Sequence, residues 1–265
     1  MSKLLVKPKA GTGLAARITP ESAGWTYVGF ELHRLAPGET VSAGTGAQEA
    51  CLVFVTGKGE ASADGEDFGV LGGRMSPFVG KPWSLYVPQD SQWSVTAETE
   101  LELAVCLAPG LGRELPARVI GPDDVKQEVR GKGANTRYVT NILPESEPAD
   151  SLLVVEVITP GGHTSSYPPH KHDRDDLPAE SYLEETYYHR LNPPQGFAFQ
   201  RVYTDDRSLD EAFAVEDGDI VLVPKGYHPC AACHGYDLYY LNVMAGPKRT
   251  WKFHNATEHE WLLKV

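Results

Sequence analysis

His170-Lys171-His172, followed by Glu184-Glu185 and then by Pro224-Lys225-Gly226-Tyr227-His228, is the stretch that decides how this chain is read. Side chains at i and i+2 of a strand point to one face. His170 and His172 therefore project together, Glu185 can arrive from the next strand, and His228 from a strand a hairpin further on. Three imidazoles and one carboxylate suit a single divalent cation of the zinc, manganese, iron, cobalt or nickel type. In this order they are the ligand set a β-barrel needs to hold one such metal. Glu184 and Glu185 would face opposite sides of their strand. Glu185 is favoured as the ligand because it shares its face with Tyr187 and His189, and Glu180 is a third option, read as a loop residue.

Working outward, eight of the nine histidines lie at or after His163, and only His33 precedes them. Helical periodicity is nearly absent. Short apolar or alternating runs recur, among them 51–55, 84–87 and 101–107 in the first half and 152–158, 196–203, 220–223 and 238–244 in the second. Twenty prolines and twenty-six glycines supply turns between them, the pattern of many short strands. A weak internal repeat is visible. Ala36-Pro37-Gly38, Glu49, a turn at Gly57-Lys58-Gly59 and Tyr86-Val87-Pro88 are echoed by Thr159-Pro160-Gly161, Glu185, a turn at 192–196 and Leu222-Val223-Pro224. The expected fold is all-β: two antiparallel barrels of the jelly-roll type. Residues 1–115 form a first lobe without the histidines, 116–265 form the metal-binding lobe, and the charged segment of about 110–135 links them.

Composition excludes several classes of function. The net charge is −12 and no Lys/Arg run is present, which argues against nucleic acid and anionic membrane surfaces. No apolar stretch approaches the roughly 20 residues of a membrane span. No long apolar region follows the first lysines, so no secretory signal is expected. Four scattered cysteines make no disulfide framework, and a cytoplasmic location is expected.

The stretches 165–173, 183–189, 200–206, 224–229 and 236–247 resemble the 5-deoxy-glucuronate isomerase family of myo-inositol breakdown. That family is a bicupin one, related to the 4-deoxy-hexosulose-uronate ketol-isomerases of pectin breakdown. The resemblance covers most of the chain and is densest from about Arg137 onward. It implies a bicupin fold with few short helices and an aldose–ketose isomerisation of 5-deoxy-D-glucuronate to 5-dehydro-2-deoxy-D-gluconate. It also implies His170, His172, Glu185 and His228 as ligands of one divalent metal ion, with zinc favoured and manganese or iron as alternatives. Two features depart from the pattern. The interval from His172 to Glu185 is lengthened by 173–183, and Cys230-Ala231-Ala232-Cys233 has no counterpart and reads as idle thiols.

On this reading the partner is a small uronate-type sugar acid. Glu184, Tyr187, His189 and Tyr240 are the candidates for moving the proton between C2 and C1. Arg201 is the first choice for the far carboxylate, on a face shared with Phe197 and Phe199, and Gln200 and Asn242 are further substrate contacts. Lys171 should point outward, between two inward ligands. Assembly into a homo-oligomer through edge strands is expected. An iron-dependent cupin dioxygenase and a sugar-binding cupin are the competing readings.

Overall fold

The computed structural model describes residues 2–264. Antiparallel strands dominate it, and helix is confined to short pieces such as Pro20–Ala23 and the 3-10 segment Thr257–Lys264. Among the described residues no helix is long and apolar enough to cross a membrane. The chain forms two compact units. One comprises Pro8–Lys126 and Asn141–Val154, the other Met1–Lys7, Gln127–Thr140 and Val155–Val265. The division therefore differs from a single boundary at 115/116. The first unit runs on to Lys126 and takes back 141–154, while the second recruits the first residues of the chain. The segment expected as a link holds two strands, Arg118–Ile120 and Lys126–Arg130. Lys126–Arg130 lies at a sheet edge and has no fully buried position, so it carries no apolar alternation to betray it.

The first unit has a six-stranded sheet in the order Arg118–Ile120, Trp83–Val87, Gln48–Thr56, Leu101–Pro109, Gly29–Leu35, Gly13–Ile18. Its second sheet runs Thr40–Gly44, Gln92–Ala97, Lys58–Ala63, Glu66–Gly72. Ala50, Leu52 and Phe54 pair with Val87, Leu85 and Trp83. With Ala61, Trp93 and Val95 of the smaller sheet, these side chains build one apolar core. The expected turn at Gly57 needs glycine: φ is +87°, and a Cβ there would lie 2.1 Å from the Glu100 carbonyl oxygen.

The second unit repeats this plan. Its seven-stranded sheet runs Leu5–Val6, Ile220–Val223, Glu184–Asn192, Asp237–Ala245, Leu153–Thr159, Arg137–Leu143, Lys126–Arg130. Its smaller sheet runs Thr164–Ser165, Cys230–Ala232, Phe197–Tyr203, Asp210–Glu216. Glu185 and Tyr187 pair with Val223 and Val221. Val223 precedes Pro224 as Val87 precedes Pro88, so this register places Glu185 level with Ala50 and Tyr187 level with Leu52. The repeat suggested by Glu49 and Glu185 is thus one residue out. Glu49 lies on the opposite strand face, where its carboxylate accepts hydrogen bonds from the backbone N–H groups of Asp150, Ser151 and Leu152 and from the Tyr86 hydroxyl.

One face assignment is reversed. In Phe197–Tyr203 the inward residues are Ala198, Gln200 and Val202, whereas Phe197, Phe199 and Arg201 are exposed. Strict alternation leaves only two choices, and bulky rings were the wrong guide. The Phe197 and Phe199 rings pack edge-on to each other, 5.6 Å apart, on the exposed face. Arg201 is spent on a bidentate pair with Asp210, at 2.7 and 2.6 Å.

Candidate metal centre and active site

Two neighbouring strands of the larger sheet supply the floor of the site. Glu185, Tyr187 and His189 face inward from Glu184–Asn192, and Met244, Asn242 and Tyr240 stand directly opposite them on Asp237–Ala245. Cross-strand pairing therefore turns two i, i+2, i+4 series into one six-residue patch. The Glu184 backbone pairs with Ala245 and its side chain is directed to the other face.

The imidazoles arrive from two separate segments. His170 opens the short strand His170–Lys171, paired with His254–Asn255, and His172 follows it. His228 lies in the connection between Ile220–Val223 and Cys230–Ala232. His172, Glu185 and His228 each offer a ligand atom within 4.8 Å of the others, and all three are buried. His170 stands beside this trio rather than within it. Its ring centroid is 5.0 Å from that of His228 and 6.4 Å from that of His172, and it packs on Phe253 at 4.6 Å.

Hydrogen bonding sets the tautomers. His172 Nδ1 donates to the Leu183 carbonyl oxygen at 3.0 Å, and His228 Nδ1 donates to that of Gly226 at 2.8 Å. A ring that donates through Nδ1 presents the Nε2 lone pair unless a second proton is added. Both Nε2 atoms lie close to Glu185 Oε2, at 3.1 Å for His172 and 3.3 Å for His228. His228 Nε2 is buried with no hydrogen-bond partner. Lone pairs and a carboxylate converging in a buried space call for positive charge between them. The electrostatics agree. Burial pulls His172 down, but the Glu185 hydrogen bond and charge outweigh it and leave its pKa raised. Burial holds His228 down to about 4 and His170 well below its usual value. His172 and His228, each oriented through its Nδ1, and the Glu185 carboxylate fit a divalent cation, which would take the place of the proton that Glu185 otherwise favours on His172.

A small cavity opens at Glu185, lined also by His170, Tyr187, Tyr240 and Asn242 and by Arg130 and Arg137. Tyr187 Oη is 2.9 Å from Ser166 Oγ. Its ring lies 4.9 Å from that of Tyr240 and 5.7 Å from His189. Burial raises the pKa of both tyrosines. His189 stands behind Tyr187, held down to about 4 by burial, and its Nε2 is 2.8 Å from Gln200 Oε1. Gln200 also reaches the His228 carbonyl oxygen, at 3.5 Å. Asn242 Nδ2 donates to the Thr186 carbonyl oxygen at 3.4 Å.

Thus Tyr187, Tyr240 and Asn242 face the cavity, His189 and Gln200 support it from behind, and Glu184 and Arg201 are directed elsewhere. Lys171 is not the solvated side chain expected. It is 2% exposed and its Nζ contacts Asp173 at 2.6 Å, Asp205 at 3.1 Å and Glu180 at 3.6 Å. Asp173 in turn accepts the Gly226 N–H at 3.0 Å, tying the segment of His172 to that of His228. Cys230 and Cys233 are free thiols. Sequence reasoning missed Arg130 and Arg137. Arg130 lies in the mixed-charge segment read as a solvated link between the lobes, and Arg137 at the start of the densest part of the resemblance, both far from the histidine motifs.

With the geometry in place, comparison with known proteins is informative. Residues 4–262 match the model of the KduI/IolB family. The whole chain is 57% identical to the 5-deoxy-glucuronate isomerase of Geobacillus kaustophilus, covering 96% of that protein. A solved IolB-like protein from Salmonella typhimurium LT2 is similar with a TM-score of 0.96 at 55% identity, over 98% of this chain and 99% of that one. Oxalate decarboxylase of Bacillus subtilis, a protein with Mn(II) centres, shares the fold at a TM-score of 0.65 and 13% identity, over 100% of this chain and 82% of its own. The two antiparallel jelly-roll units are accordingly a bicupin. A match over almost every residue, at this level of identity, makes the chain a member of the KduI/IolB family.

Proposed function

We propose that this chain is a metal-dependent aldose–ketose isomerase that converts 5-deoxy-D-glucuronate to 5-dehydro-2-deoxy-D-gluconate in myo-inositol catabolism. The observation that carries the reading is the convergence of His172, Glu185 and His228 on one buried point, in a chain whose full length matches an isomerase relative. These three residues, with His170 as the fourth, would hold one divalent cation. Zinc is favoured over manganese or iron because the donor set is imidazole-rich and the reaction needs no redox change. When bound, such a cation polarises a carbonyl and its neighbouring hydroxyl and stabilises charge that develops on them.

The chain's own groups supply the rest. Tyr187 and Tyr240, kept protonated by burial, hold their hydroxyl hydrogens toward substrate oxygens in the cavity. Ser166, 2.9 Å from Tyr187 Oη, fixes the direction of that hydroxyl. Tyr187 Oη is therefore the atom that holds a proton at the oxygen gaining charge, an electrostatic role that requires no reorganisation. His189 and Gln200 form a buried bracket behind Tyr187 and His228 and act as positioning residues. A cytoplasmic sugar-acid enzyme fits this chemistry.

The test is an anaerobic assay of the purified protein with 5-deoxy-D-glucuronate, before and after chelation, alongside elemental analysis. Ketone formation that stops on chelation and returns with the metal supports the reading. Turnover that survives complete metal removal, or oxygen consumption without isomerisation, defeats it.

A further inference from the structure

A uronate carries a full negative charge at the end remote from the reacting carbons. A chain of net charge −12 must place a cation to receive it. Most basic groups near the site are already neutralised. Lys171 is surrounded by Asp173, Asp205 and Glu180. Arg130 lines the cavity, but its Nε and Nη2 both bond Glu128 Oε1, at 2.9 and 2.5 Å, and its guanidinium lies 5.2 Å over the Trp251 ring. Arg201 is bound to Asp210 on the exposed face.

Arg137 differs. It lines the same cavity as His170, Glu185, Tyr187 and Tyr240. Its Nη1 donates to the Asn135 carbonyl oxygen and Asn135 Oδ1, both at 3.1 Å, and to the Tyr167 carbonyl oxygen at 3.3 Å. No carboxylate is among these partners. The partners are neutral, so they orient the guanidinium and leave its charge uncompensated. Gly131 closes the arrangement: at φ +77°, a Cβ there would come within 2.8 Å of Arg137 Nη1 and 2.1 Å of the Asn135 carbonyl oxygen. The 131–137 turn is thus wrapped around one edge of the fork. A planar guanidinium held at one edge is preorganised to take a carboxylate on its other.

We propose that Arg137 is the anchor for the substrate's distal carboxylate and so selects acids over neutral sugars. The proposal rests on the isomerase reading for the identity of the substrate. The carboxylate site itself stands on the geometry.

The test compares two non-isomerisable probes on the metal-loaded protein: 5-deoxy-D-glucuronate reduced at C1 to the alcohol, and the primary amide of that acid. Calorimetry is expected to show the acid binding at least about tenfold more tightly than the amide to the wild type, the scale of one charge-assisted pair. Arg137→Gln should bring that ratio to within about twofold of unity. Arg137→Lys, which keeps the charge and loses the fork, should fall between. A wild type without preference for the acid overturns the proposal, as does an Arg137→Gln protein that keeps the wild-type ratio. If Arg137→Gln does not fold, the wild-type ratio and the lysine variant decide. Acid preference in a wild type that does not isomerise 5-deoxy-D-glucuronate would overturn the isomerase reading and leave the carboxylate site standing.

Discussion

The two units are built to one plan and filled with opposite chemistry. At the level where the second unit carries Glu185 and Tyr187, the first carries Ala50 and Leu52. Two positions further along the same faces, His189 is answered by Phe54. The first core is a continuous apolar cluster. The second devotes the equivalent space to imidazoles, a carboxylate and hydroxyls that must each find a partner. Unsatisfied polar groups in a protein interior are costly. A cluster filled by apolar side chains can therefore contribute stability freely, while its polar counterpart must spend stability on function. We expect the second unit to be the less stable.

The largest effect that tests this contrast is at Glu185. Glu185→Gln should lower bound metal well below one ion per chain and cut turnover about a thousandfold or more, measured by elemental analysis and steady-state kinetics. Unchanged metal content would remove Glu185 from the centre. The reciprocal change, Ala50→Glu, buries a carboxylate with no cation to meet it. It should cost on the order of 3 kcal/mol or more, seen as a lower denaturation midpoint, with no gain of metal. A stable Ala50→Glu protein would mean that position 50 is not the interior counterpart of 185.

Acid provides a third comparison. His189 is buried and lies outside the proposed ligand set, with a folded pKa of about 4 against an ordinary 6.5. A lowered folded pKa means that neutral His189 contributes its stability above about pH 6.5, and that this contribution is lost as pH falls toward 4. The scale is about 3 kcal/mol at most. Hydrogen exchange followed from pH 7 to 4.5 should show Glu184–Asn192 losing protection before Gln48–Thr56, and His189→Gln should narrow the gap. Equal loss in both strands would break the contrast. The smallest effect is at Arg201. Arg201→Ala removes an exposed pair with Asp210 and a contact over the Tyr203 ring, so it should cost on the order of 1 kcal/mol and leave KM unchanged. A large rise in KM would restore Arg201 as a substrate contact.

These differences explain what could be read from the chain alone. Side-chain alternation is local, so His170 with His172 and Glu185 with Tyr187 and His189 could be placed on common faces from spacing. Proline after a buried strand marked both Val87 and Val223. Which face turns inward is a tertiary outcome. In 197–203 the interior accepted Ala198 and Gln200 because Gln200 has a partner in His189, and no property of that segment alone announces it. The burial of Lys171 was equally hidden, since it depends on the hairpin of Asp173 and Glu180 folding back and on Asp205 arriving from a distant segment. The meaning of Arg137 is negative: among the described residues its bonded partners include no carboxylate, and that is visible only once neighbours are known. The edge strands escaped for a related reason, being too short and too exposed to carry a pattern.

One of those edges has a consequence for biosynthesis. Leu5 pairs with Val221, on the strand that also pairs with Glu184–Asn192. A ribosome makes Leu5 long before Val221, so the strand Leu5–Val6 must wait, unpaired, until Ile220–Val223 emerges. This sheet cannot be completed vectorially. Its closure couples segments made far apart in time, so a bulky group attached ahead of Leu5 should slow maturation of the proposed metal site while leaving the apolar unit untouched.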